Sequence, residues 1–147
     1  MTDIHIDDFY RDTAKTLVTL YNTFPRHIML FVEDICGPDA PDDFGLHSKR
    51  HDACLSALMW LGTSDYIQYK ALIKREAIEE ATLTHRAFIL LNSAPTPQGI
   101  NAAEPHGSAD LLINQLREQL QSGTSSTLAL FVKSLMANSR QLPASVF

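Results

Sequence analysis

The stretch "HSKRHDACLSALMWLGTSDYIQY", residues 47 to 69, constrains the fold most. From Ser48 the apolar positions Ala53, Cys54, Ala57, Leu58 and Leu61 recur at helical spacing, with Ser48 placed to cap the helix and Gly62 to end it. The spacing predicts a helix over 48–61. Tyr66, Ile67 and Tyr69 follow at once, and aromatic and β-branched residues favour strand. A helix with a cationic start that runs into a strand leaves two readings. It is either a nucleic-acid-reading helix feeding a β-hairpin, or a core helix whose first turn is charged.

Upstream, Tyr10, Ala14, Leu17, Val18 and Tyr21 form an apolar stripe, Asp7 or Asp8 can cap it, and Pro25 closes it, which predicts a helix over 8–23. "HIMLFVEDI" is short, apolar and partly β-branched, which favours a strand. "CGPDAPDDFG" is a loop by its prolines, glycines and aspartates. "ALIKREAIEEA" is built from strong helix formers, so propensity alone makes it a helix, in conflict with the strand-like residues on either side. Thr84 caps the short helix "HRAFILLN". Residues 94–108, rich in proline and glycine, read as a surface linker. Two amphipathic segments follow, joined at Gly123, and form an αα-hairpin whose stripes are Leu112, Leu116 and Leu120, then Leu128, Phe131 and Leu135.

A chain of 147 residues can bury a core without staples. It has no run of about 18 apolar residues and no basic, apolar start of a signal peptide, so a soluble cytoplasmic protein is expected, without a membrane. In a reducing compartment Cys36 and Cys54 are expected as buried thiols. The net charge of −5 is unevenly placed. Residues 1–45 hold nine acids and three bases, residues 46–93 five acids and six bases, and the remainder three of each. The only segment with a positive balance is the one containing the quoted helix, and its excess is small for a nucleic-acid binder.

The order of a helix, a short strand, an acidic loop, the helix 48–61, "GTSDYIQY", a charged stretch and "ATLTHRAFILL" resembles the winged-helix family. Leu61, Gly62, Tyr66 and Ile67 look like the exit from its recognition helix, and "TLTHRAFILL" looks like the end of its wing. The likeness spans residues 8–92 and extends loosely to winged-helix proteins of bacterial and phage genomes. Ala87 stands where the family often has glycine, and "EDICGPDAPDDFGL" is a poor match to the helix that usually precedes the recognition helix, unless "VEDIC" forms one turn of it. The resemblance implies that Tyr66–Lys70 and Ile78–Leu83 are wing strands and "ALIKREA" the tip, against local propensity. The expected fold class is therefore mainly α with a small β-hairpin: a winged-helix domain over 1–93, the linker, and a C-terminal helical hairpin over 109–147.

On that reading Ser48, Lys49, Arg50 and His51 open the recognition helix and can meet double-stranded DNA, Arg50 as a bidentate guanine contact. Lys70, Lys74 and Arg75 become the wing's phosphate contacts. The bland alternative keeps these as solvated charges, since cations at a helix N-terminus oppose its dipole. His47, His51 and Cys54 share a helical face, with Asp52 or Cys36 as a fourth zinc ligand, but the pattern has no C-x-x-C pair and no metal or other cofactor is assigned from it. The acid pairs offer no two carboxylates in different surroundings, and no phosphate loop, G-x-S-x-G or H-E-x-x-H is present, so no enzyme is expected. Trp60, Tyr66 and Tyr69 are read as core packing rather than base stacking. Winged-helix regulators commonly dimerise through appended helices, so Leu112, Leu116, Leu120, Leu128, Phe131 and Leu135 are expected to pack on the domain or form a homodimer interface. The expected function is that of a non-enzymatic DNA-associated protein such as a small transcriptional regulator. Its rival is a winged helix that binds protein through its acidic face or its helical hairpin.

Overall fold

A computed structural model describes residues 4–94 and 111–139. In chain order these form α1 (Ile4–Thr23), β1 (Ile28–Phe31), α2 (Val32–Cys36), α3 (Lys49–Thr63), β2 (Ile67–Gln68), β3 (Ala71–Ile73), β4 (Ala77–Leu83), α4 (His85–Leu91), α5 (Leu112–Ser122) and α6 (Ser125–Ser139). The protein is mainly helical, with one small antiparallel sheet of four strands.

The long helix α1 is the central element, because Ala14, Leu17 and Leu20 put its apolar stripe against α3, β4, α5 and α6 together. Its first turn begins at Ile4, so Asp7 and Asp8 lie inside the helix rather than at its cap. The expected single turn in "VEDIC" is α2, which buries Val32 and Ile35. Ser48 caps α3 as anticipated, its hydroxyl accepting from the His51 backbone N–H at 3.2 Å. Gly62 does not stop α3, which continues to Thr63.

The conflict over "ALIKREAIEEA" resolves as strand. β4 buries Ala77, Ile78, Ala81, Thr82 and Leu83, and it lies between β1 on one side and β2 with β3 on the other. Burying those side chains against α1 outweighs a helix preference of a few tenths of a kcal/mol per residue. One boundary differs from expectation. Ala71–Ile73 continue the pairing, opposite Glu79, Ile78 and Ala77, so the tip shrinks to Lys74, Arg75 and Glu76. Lys74 and Arg75 both have positive φ (49° and 59°), and the Glu76 N–H donates to the Ile73 carbonyl at 2.8 Å, closing a turn of the primed kind.

Thr84 caps α4, accepting from the Ala87 N–H at 3.1 Å while donating to the Asp65 carbonyl at 2.9 Å. The helical hairpin α5–α6 packs on α1 of its own chain. Leu112, Leu116, Leu128 and Leu135 are buried in the same core as α1 and α3, with Leu120 and Phe131 half-buried against it. Of the two placements expected for these six residues, on their own domain or against a second copy, the described residues show the first. The expected linker lies outside the described residues from 95 onward. No helix among the described residues is long and apolar enough to cross a membrane.

Candidate functional site

The residues singled out in the sequence gather where the start of α3 meets the β3–β4 tip, yet they do not form a cationic face. Arg50 turns inward. Its Nη1 and Nη2 donate to Asp12 Oδ2 and Oδ1 at 2.7 and 2.5 Å, and its Nε lies 3.7 Å from Asp8 Oδ2. The Asp12 side chain is only 2% exposed. The Asp12 carboxylate pushes the guanidinium pKa further up, outweighing the opposing effect of burial. Arg50 shares the inward face of α3 with Cys54, Ala57, Leu58 and Leu61, so a guanine contact would require breaking this pair.

His51 also points inward, and at 1% exposure it offers no surface to a nucleic acid, which corrects its placement among the DNA contacts. Its Nε2 lies 2.9 Å from the Arg75 carbonyl oxygen, an acceptor, so Nε2 carries the proton. Ser48 is occupied as the α3 cap. Of the hairpin cations, Lys70 faces Glu80 at 3.8 Å and Arg75 faces Asp52 of α3 at 3.3 Å. Lys49 and Lys74 are exposed and have no ion pair among the described residues.

Sequence reasoning missed Asp39. The loop before α3 brings its Oδ2 to 2.8 Å from His47 Nδ1 and 3.8 Å from His51 Nδ1, and the two imidazoles stack at 3.8 Å with 9° between planes. The Ser48 side chain and backbone N–H hydrogen-bond the same carboxylate, and these bonds, with His47 beside it, hold the Asp39 pKa down at about 2. The i, i+4 spacing of His47 and His51 was legible, while a loop aspartate eight residues upstream of His47 left no periodic signal. Cys54 does not join the histidines. Its thiol faces Cys36 and the Val32 carbonyl, and burial raises the pKa of both cysteines.

The outward face of α3 reads Lys49, Ala53, Ser56, Met59, Trp60 and Thr63, all exposed. Met59 and Trp60 keep 40% and 46% of their surface in solvent. Phe9 of α1 meets the Trp60 ring edge-on at 5.2 Å, and Tyr66 stacks near it at 6.3 Å, so the indole is held in place while still exposed. Comparison with known protein families, curated proteins and solved structures finds no match for this chain.

Proposed function

We propose that the chain is a winged-helix module that acts without catalysis, by docking the outer face of α3 and the adjoining hairpin on a partner protein. The element order α1–β1–α2–α3 followed by a hairpin, with β4 between β1 and β2, supports the winged-helix reading. The observation that carries the choice of partner is the pairing of Arg50, Lys70 and Arg75 with carboxylates of the same chain. Apart from Lys49, the outward face of α3 is neutral and partly apolar, with Met59 and Trp60 at its far end, and such residues are enriched at protein interfaces.

DNA association, as in a small regulator, is the second reading, favoured by the exposed Lys49 on α3 and Lys74 at the hairpin tip. Two phosphate contacts give a salt slope of about −1.8, far from the roughly −5 to −9 of a protein making six to ten contacts. Retention on mixed-sequence DNA separates the readings. The protein-docking reading expects no retention at about 50 mM salt, and a partner protein recovered by the wild type that is lost with Trp60→Asp but kept with Lys49→Ala. Retention on DNA that disappears in Lys49→Ala/Lys74→Ala and survives Trp60→Asp would replace it with the DNA reading.

A further inference from the structure

We propose that Asp39, His47 and His51 form a binding site for a divalent transition ion of the zinc type. A carboxylate oxygen of Asp39 and one ring nitrogen of each histidine lie within 4.8 Å of one another, and both Nδ1 atoms face Asp39 Oδ2. Two nitrogens and one oxygen are a ligand set zinc accepts, with a fourth position left to water or to a group from a partner. This inference is independent of which macromolecule the α3 face binds.

The second observation is the state of His51. Its Nε2–H is committed to the Arg75 carbonyl, so in the neutral ring Nδ1 carries a lone pair. That nitrogen is buried, has no hydrogen-bond partner, and faces the ionised Asp39 oxygen 3.8 Å away. Two electron-rich atoms facing each other in a buried place is costly, and a cation between them removes the cost.

The surroundings are those of a supported metal ligand set. A ligating imidazole commonly donates its other N–H to a backbone carbonyl, as His51 does to Arg75, and a ligating carboxylate is itself hydrogen-bonded, as Asp39 is by Ser48. Tetrahedral zinc places neighbouring ligand atoms roughly 3.3 Å apart. The distances from Asp39 Oδ2, 2.8 Å to His47 and 3.8 Å to His51, straddle that value. A ligating ring holds the metal near its own plane, so the stacked pair must open. His47, which precedes the helix and keeps 14% of its side-chain surface in solvent, is the ring that turns on binding, exchanging its hydrogen bond to Asp39 for the metal. It would then hold its proton on Nε2 and leave Nδ1 to the metal. His51 also borders a cleft lined by Phe31, Glu33, Asp34 and Glu76, whose three carboxylates attract positive charge to its neighbourhood.

Filling the site joins the loop at Asp39, the start of α3 and, through the Arg75 carbonyl, the hairpin tip. The ion would therefore fix the relative placement of the two elements that form the proposed docking face.

The test uses the full chain without a histidine tag, stripped with chelator and titrated with Zn²⁺, with Co²⁺ as a spectroscopic substitute. Expected are one ion per chain, a Co²⁺ absorption spectrum of low coordination number, and at least about ten-fold weaker Zn²⁺ binding in both Asp39→Asn and His47→Ala. Nitrogen NMR of the wild type expects Zn²⁺ to shift Nδ1 of His47 and His51 and no other histidine, a readout that stands if either variant fails to fold. Absence of stoichiometric Zn²⁺ binding at micromolar protein, binding unchanged in the folded variants, or shifts confined to other histidines would overturn the proposal.

Discussion

Arg50 of α3 grips Asp12 of α1 through two parallel hydrogen bonds of 2.5 and 2.7 Å, so a guanidinium that the sequence offers to solvent ties two core helices together. The carboxylate is almost fully buried while the guanidinium stays a third exposed. Removing the cation alone leaves a buried negative charge without a counter-charge, whereas neutralising both partners removes that penalty. Arg50→Ala is expected to lose about 3 kcal/mol of unfolding free energy. Arg50→Met combined with Asp12→Asn should recover most of it. Urea unfolding of the single and double variants measures this. A loss under about 0.5 kcal/mol in Arg50→Ala would show that the pair behaves as an ordinary surface ion pair.

The helical hairpin gives a second expectation. Leu116 is fully buried in the core shared with α1, so Leu116→Ala should cost about 2–5 kcal/mol of the chain's own stability. Because the contact is intramolecular, the unfolding midpoint of wild type and variant should not move with protein concentration. A wild-type midpoint that rises with concentration and an unaltered one in the variant would place Leu116 at an interface between copies instead.

Much of the fold is legible wherever side-chain periodicity has a single physical cause. The stripes of α1, α3, α5 and α6, and the caps at Ser48 and Thr84, follow from spacing and from orphan N–H groups. Residues 71–83 are not legible by propensity. Ile73, Ala77 and Ala81 fit a helix stripe, and only the burial of Ile78 and Leu83 in an antiparallel arrangement with β1 and β2 selects strand. Arg50 was readable in part, since it occupies the position one turn before Cys54 on the inward face. Its partner Asp12 lies 38 residues away, however, and a charge on an apolar face does not say which opposite charge meets it. Asp39 was unreadable for a related reason: a loop aspartate is positioned by its hydrogen bonds to Ser48 and His47 rather than by any period.

The hairpin tip carries removable strain. Lys74 and Arg75 adopt positive φ with side chains bearing a Cβ, a conformation that asparagine and glycine adopt at lower cost. Lys74→Asn with Arg75→Gly matches the residue pair such a turn favours, and it keeps the Arg75 carbonyl that receives the His51 N–H. It removes the exposed contact of Arg75 with Asp52, worth at most about 1 kcal/mol. A net gain of about 1 kcal/mol in unfolding free energy is expected, because relief at two positions exceeds that loss. Chemical denaturation checks it, and a net loss would mean that the ion pair to Asp52 outweighs backbone relief.

The two thiols differ in exposure and so in reactivity. Burial raises both pKa values above the ordinary 9.0, with Cys54 fully buried and Cys36 only partly so. Nucleophilic attack uses the thiolate, which is scarce at pH 8 for a thiol whose pKa is raised, and a buried sulfur is sterically closed as well. In the native protein Cys36 is therefore expected to react slowly with an aromatic disulfide reagent, and Cys54 only through opening of the structure. Denaturant sharpens the contrast. Below the unfolding transition the Cys54 rate should rise with the population of the open state, while the Cys36 rate changes little until unfolding itself. Cys36→Ser and Cys54→Ser assign the two phases. A Cys54 rate in the native state equal to that of the unfolded chain would show that α3 does not seal its inner face against α2.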